Sequence, residues 1–200
     1  MNFKVRRRTV ERKNIITKRL NSLELNLIRE MAERAQIGGY SQIHLDEEKR
    51  KQSLAMDQFI GQIGNYIGAK ILDGTPFPKE YYISRMYANR HPNEGDGGSD
   101  IPGTNIDFKT SLMRGELDPM SYRLIVRPNE RHNDWIYVLV LVEPQNISIF
   151  DWKTAVVHIV GWATDDMLLT IETEGIFRGA YILPTIVLYP FLPIKRLWMI

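Results

Sequence analysis

Apolar residues recur at four-residue spacing from Ser22 onward, as Leu23, Leu27, Met31 and Ala35, with a polar opposite face and a stop at Gly38-Gly39. The spacing predicts an amphipathic helix. A loop over residues 40–45 leads to a longer helix, opened by Asp46, Glu47 and Glu48 near its positive end and running to about Leu72, before Asp73-Gly74. Its stripe is Ile60, Ile63, Ile67 and Ile71. Beside that stripe stand Gly61, Gly64 and Gly68, each costing about 1 kcal/mol of helix propensity relative to alanine. Glycines so spaced make a smooth groove that another backbone, above all a sheet, can approach closely. Asn65 then points at whatever packs there. Tight packing without any chemistry would satisfy the same pattern.

From residue 74 to residue 102 the chain is rich in Pro, Gly, Asn and Asp around Tyr81, Tyr82 and Tyr87, and residues 91–100 read as a loop or hairpin tip. Strand patterns follow at residues 105–111, 122–127, 134–142, 147–150 and 156–162. The turns between them, notably residues 128–133 and 143–146, are short enough to predict antiparallel neighbours. Residues 164–169 read as a short helix opened by Thr164, and the remainder as an irregular, proline-punctuated cover. Helices ahead of a sheet make this a mixed α and β domain.

Composition then narrows the chemistry. The chain of 200 residues holds no cysteine, which excludes disulfides, thiolate metal sites and cysteine nucleophiles and makes a reducing, cytoplasmic setting the expectation. The apolar stretches at 135–142 and 180–194 fall short of the roughly 20 uninterrupted residues of a membrane span, so no membrane partner is expected. The net charge of +2 conceals an asymmetry: eight basic residues, among them Arg6, Arg7 and Arg8, face only Glu11 within residues 1–20. We read residues 1–20 as a basic arm of the mature protein and residues 21–200 as one domain. Such an arm suits a polyanion, though a solvated tail has the same composition. Gly-x-Ser-x-Gly, P-loop and Gly-x-Gly-x-x-Gly patterns are absent, and the four histidines lack the spacing of a zinc site.

Candidate chemistry concentrates in residues 98–111, Gly-Ser-Asp-Ile-Pro-Gly-Thr-Asn-Ile-Asp-Phe-Lys-Thr-Ser. In a strand, Ile106 and Phe108 enter the core while Asp107 and Lys109 emerge together on the other face. The Pro102-Gly103 turn would fold Asp100 back beside Asp107. Two carboxylates with several waters and a substrate phosphate are what Mg²⁺ requires. A turn acid followed by a solvated Asp and Lys pair on an edge strand is the bland alternative. Arg123 and Arg127, at even spacing in one predicted strand, would line a phosphate groove on the same face or simply be surface charge.

The order of these features, a Gly-rich helix, a Gly-rich loop, Asp100, a short turn, the Ile-Asp-Phe-Lys strand and two further hydrophobic strands, resembles the PD-(D/E)XK nuclease superfamily in its phage and prokaryotic small-nuclease branches. The resemblance covers about residues 57–162, with residues 59–64 similar to the family's helix and residues 157–162 to a late core strand. It implies an α/β (α+β) restriction-endonuclease-like core with a central mixed sheet flanked by helices. It also implies a Mg²⁺-dependent nuclease, with Mn²⁺ as substitute, that hydrolyses phosphodiester bonds in DNA, an endonuclease first. Asp100 and Asp107 take the places of the metal-holding acids and Lys109 that of the lysine. Many members carry a glutamate directly after the helix's second glycine, where this chain has Asn65, which brings no charge; Ser99 stands where the motif's name has proline. The sequence leaves open whether two copies pair as a homodimer. Two rival readings stand beside the nuclease: a non-catalytic nucleic-acid-binding protein on a decayed nuclease fold, and a phage or host interaction factor whose arm binds an acidic protein. The expected setting is the cytoplasm of a bacterium or a phage-infected host cell.

Overall fold

The computed structural model describes residues 10–36, 47–73, 100, 104–115, 117–168 and 179–191. Arg6, Arg7 and Arg8 lie outside the described residues. Helix α1, Ser22–Gln36, is set by Asn21, whose side-chain oxygen accepts the backbone N–H of Leu23 at 3.0 Å and of Glu24 at 3.1 Å, while Glu24 accepts the N–H of Asn21 at 2.9 Å. This reciprocal cap satisfies donors that a helix start leaves free. The buried line is Leu25, Ile28, Met31 and Ala32, whereas Leu23 is 78% exposed. The expected stripe is therefore corrected: positions four apart advance about 40° around a helix at every step, so the alternating three- and four-residue set keeps to one face.

Helix α2, Glu47–Asp73, buries Phe59, Ile60, Ile63, Tyr66 and Ile67. It packs on strand β2, Ile106–Leu112, through glycine, because a Cβ at Gly64 would overlap Thr110 and one at Gly68 would overlap the Phe108 ring. Gly61 faces no atom within 4 Å. The close approach of a sheet to this helix, expected from the glycine spacing, thus belongs to two of the three glycines. The two helices are clasped by Glu24, which takes the Lys70 ammonium and, at 3.2 Å, the Tyr66 hydroxyl.

The main sheet holds four described strands in the order β1, β5, β4, β2, where β1 is Ile16–Leu20, β4 Ile136–Val142 and β5 Ala155–Thr164. It is mixed: β2 runs parallel to β4, while β4 with β5 and β5 with β1 are antiparallel. A second, two-stranded sheet pairs β3, Arg123–Val126, with β6, Tyr181–Pro184. Strand β4 explains the layering, since Val138, Val140 and Val142 join the helices' core while Tyr137, Leu139 and Leu141 join a second core with Leu124, Val126 and Leu183. A strand covered on both faces reads as an unbroken apolar run, as Ile-Tyr-Val-Leu-Val-Leu-Val does. Helix α3, Asp165–Leu168, follows β5 and buries Leu168 in the second core. The chain is thus a mixed α and β protein whose mixed sheet is flanked by helices.

Other expectations change here. Residues 147–150 form no strand; a 3-10 turn occupies Ile149–Asp151, with Ile147 and Phe150 about half exposed, because β4 already takes β5 as its partner on that side. Consecutive strands are not all antiparallel neighbours, since β3 leaves the main sheet and lets β4 return parallel to β2. The last five residues of the basic segment are β1, and residues 181–184 of the presumed irregular cover are β6. No helix among the described residues is long and apolar enough to cross a membrane.

Candidate functional site

Strand β2 is the outermost described strand of the main sheet, on the side opposite β1. Its outward backbone groups are met by Asp100. The Asp100 N–H donates to the Ile106 carbonyl at 3.0 Å, and its carboxylate accepts the Phe108 N–H at 2.5 Å. The other carboxylate oxygen accepts the Asn65 side-chain N–H at 2.9 Å. Asp100 thereby joins α2 to the strand edge, and Asn65, buried in the groove its glycine neighbours create, faces this carboxylate.

Asp107 and Lys109 lie on the strand face opposite Ile106 and Phe108, as the alternation predicts, and form an ion pair at 2.8 Å. The pair is not the solvated one of the bland alternative: Asp107 is only 7% exposed, because the β3 and β6 layer covers that face. Asp107 also hydrogen-bonds the Asp100 carboxyl. Burial pushes the Asp107 carboxyl above the usual carboxylate range, and the Lys109 ammonium beside it only partly offsets this. Burial pulls Lys109 the other way, but Asp107 and Glu130 outweigh it and hold the ammonium above its ordinary value.

Glu130 was not foreseen. It closes the 3-10 turn Pro128–Glu130 and accepts from Lys109 at 3.0 Å. Its spacing from Lys109 carries no strand or helix period, and only the packing of the β3 layer over β2 brings the two together. Arg127 adjoins the site through Glu130, at 3.8 Å. It falls just beyond β3 rather than in one strand with Arg123, and both lie in the second layer, not on the face of the sheet that carries Asp107, because β3 pairs with β6. Arg123 is exposed at the start of β3, opposite Pro184. On α2, Asp57 lies about two turns before Asn65; burial raises its carboxyl, and Arg114 and Arg127 pull it back down.

Asn65, Asp100, Asp107 and Lys109 thus meet at one place, from three separate segments. Asp100 and Asp107 are the residues that would hold a divalent ion, as a two-carboxylate site completed by waters and substrate oxygens. Among the described residues no group of three or more His, Asp or Glu is arranged as a fuller cage. Of the basic segment, Arg12 is paired with Asp118 at 2.5 Å and Lys13 with Glu11 at 2.6 Å.

No family model matches this chain, and no solved structure matches it. Among curated proteins it is similar to the L-cysteine:1D-myo-inositol 2-amino-2-deoxy-alpha-D-glucopyranoside ligase of Renibacterium salmoninarum, 26% identical over 102 residues, which is 51% of this chain and 23% of the ligase. The chain therefore spans about a quarter of the length of that relative.

Proposed function

We propose that this chain is a metal-dependent nuclease, built on a restriction-endonuclease-like core, that hydrolyses phosphodiester bonds in DNA. One observation carries the reading: Asn65, Asp100, Asp107 and Lys109, remote in sequence or on alternate strand positions, are linked by hydrogen bonds and an ion pair at one edge of the sheet. The ligase similarity contributes nothing to it.

Asp100 and Asp107 fit a hard divalent cation by their chemistry, since they bring two carboxyl groups within reach of one another and hard oxygen donors are what such an ion takes. Bound there, Mg²⁺ or Mn²⁺ would supply Lewis acidity toward the scissile phosphate and toward a bound water. Asn65 holds Asp100 in place. Lys109, kept cationic by Asp107 and Glu130, stabilises the charge that grows on the phosphate oxygens as water attacks, rather than removing the water's proton. Arg127, on the rim, suits the DNA backbone.

A second reading is favoured by Asn65, which brings no charge to the site, and by the pairing of Lys109 with two carboxylates. It is a non-catalytic DNA-binding protein on the same fold. The discriminating experiment incubates wild type, Asp107→Ala and Lys109→Ala with plasmid, linear, single-stranded and branched DNA in Mg²⁺, Mn²⁺ or EDTA. Cleavage by wild type that needs metal and disappears in both variants is the expected result. Retained DNA binding with no cleavage of any substrate would replace the first reading by the second.

A further inference from the structure

Lys109 is anchored on two sides, and the second anchor has no place in the motif that drew attention to the first. An ammonium carries three N–H donors. Here one is directed at Asp107 Oδ2, 2.8 Å away, and another at Glu130 Oε2, 3.0 Å away. With two donors fixed by two different elements, the third has one direction left. We propose that Glu130 is the positioning residue for Lys109, aiming its remaining N–H at the substrate phosphate; this rests on the nuclease reading.

Glu130 is built for such a task, because its own position is set by the fold. Its carboxylate accepts the Arg127 N–H at 3.2 Å, and its backbone N–H donates to the Arg127 carbonyl at 3.0 Å. Its carbonyl accepts the hydroxyl of Tyr137 at 3.4 Å. Tyr137 is fully buried and stands directly opposite Asp107 in the β2 and β4 ladder. The same hydroxyl accepts the His132 N–H at 2.7 Å, which pins the far side of the turn. The turn that carries Glu130 is therefore tied to the strand beside the candidate site. Glu130 acts through Lys109: the ammonium lies between it and Asp107, and among the described residues the three acids do not form a metal-holding group.

The test measures cleavage of DNA by wild type, Glu130→Ala and Glu130→Gln, with Mn²⁺ binding by calorimetry and folding by circular dichroism on the same proteins. Loss of alignment of a charged group costs on the order of tenfold or more in kcat, which is the drop expected for Glu130→Ala. Glu130→Gln, whose amide oxygen still accepts from the ammonium, should recover part of it. KM for DNA should stay within about twofold, since an interaction made in the transition state alone is lost. Mn²⁺ affinity should stay near wild type in both variants. Unchanged kcat in Glu130→Ala would overturn the proposal, as would a fall in Mn²⁺ affinity like that of Asp107→Ala, which would make Glu130 a ligand. Absence of cleavage by wild type would sink the nuclease reading itself, a result distinct from either.

Discussion

Burial raises the pKa of a carboxyl and charged or hydrogen-bonding partners lower it, and two acids here fall on opposite sides of that balance. Burial raises Asp107 past what Lys109 can offset. Burial also pulls Glu24 upward, but the Lys70 ammonium, the Asn21 N–H and the Tyr66 hydroxyl more than compensate and hold it below its usual value. A depressed pKa in the folded state stabilises the fold above the unfolded-state value, and that stability is lost as pH falls through the folded-state one. Glu24→Gln should therefore cost about 1 kcal/mol near neutral pH, the half-exposed Lys70 end being screened. The cost should vanish in acid below the folded-state value; urea unfolding of both proteins across that range checks it. The pairing of Asp107 with Lys109 was legible from strand alternation. The burial of Asp107 was not, because nothing in residues 105–111 announces that a second sheet lies over that face.

At the scale of elements, α2 shows how one residue type in one helix answers different demands. Gly68→Ala would drive a Cβ into the Phe108 ring and Gly64→Ala one into Thr110, whereas Gly61 has open space. Overpacking costs typically 1–3 kcal/mol, more than the roughly 1 kcal/mol of helix propensity that alanine returns. Gly68→Ala should thus lower the urea midpoint, and Gly61→Ala should raise it by the equivalent of up to about 1 kcal/mol. Equal shifts in both variants would mean that α2 does not lean on β2 as described. The helix and its glycine groove were readable from composition and spacing. Strand β1 was hidden because Thr17, Lys18 and Arg19 stand between its inward-facing ends, so an edge strand looked like a run of charge. Strand β6 was hidden by its length of four residues and by Pro184, which an edge tolerates.

At the scale of the whole molecule, β1 lies at one edge of the main sheet and the candidate site at the other, with β5 and β4 between, a separation of about 14 Å by strand spacing. Lys18 and Arg19 are thus fixed far from Asp107. Under the nuclease reading, the part of the basic segment with a claim on DNA is residues 1–9, with Lys4, Arg6, Arg7 and Arg8. A chain lacking them should bind duplex DNA more weakly, and its log K against log salt should flatten by about 3 to 4 units, the loss of about four phosphate contacts. An unchanged slope would reduce the segment to a solvated tail. The two helices, the apolar strands β2, β4 and β5 and the alternation that sets Asp107 beside Lys109 were legible along the chain, because these follow from periods of 3.6 and 2 within a local stretch of residues. That β2 lies parallel to β4, that Asp107 is buried and that Glu130 reaches Lys109 came from the packing of layers alone. Each of those depends on which layer covers which face, and that is settled by contacts between residues with no fixed separation in sequence.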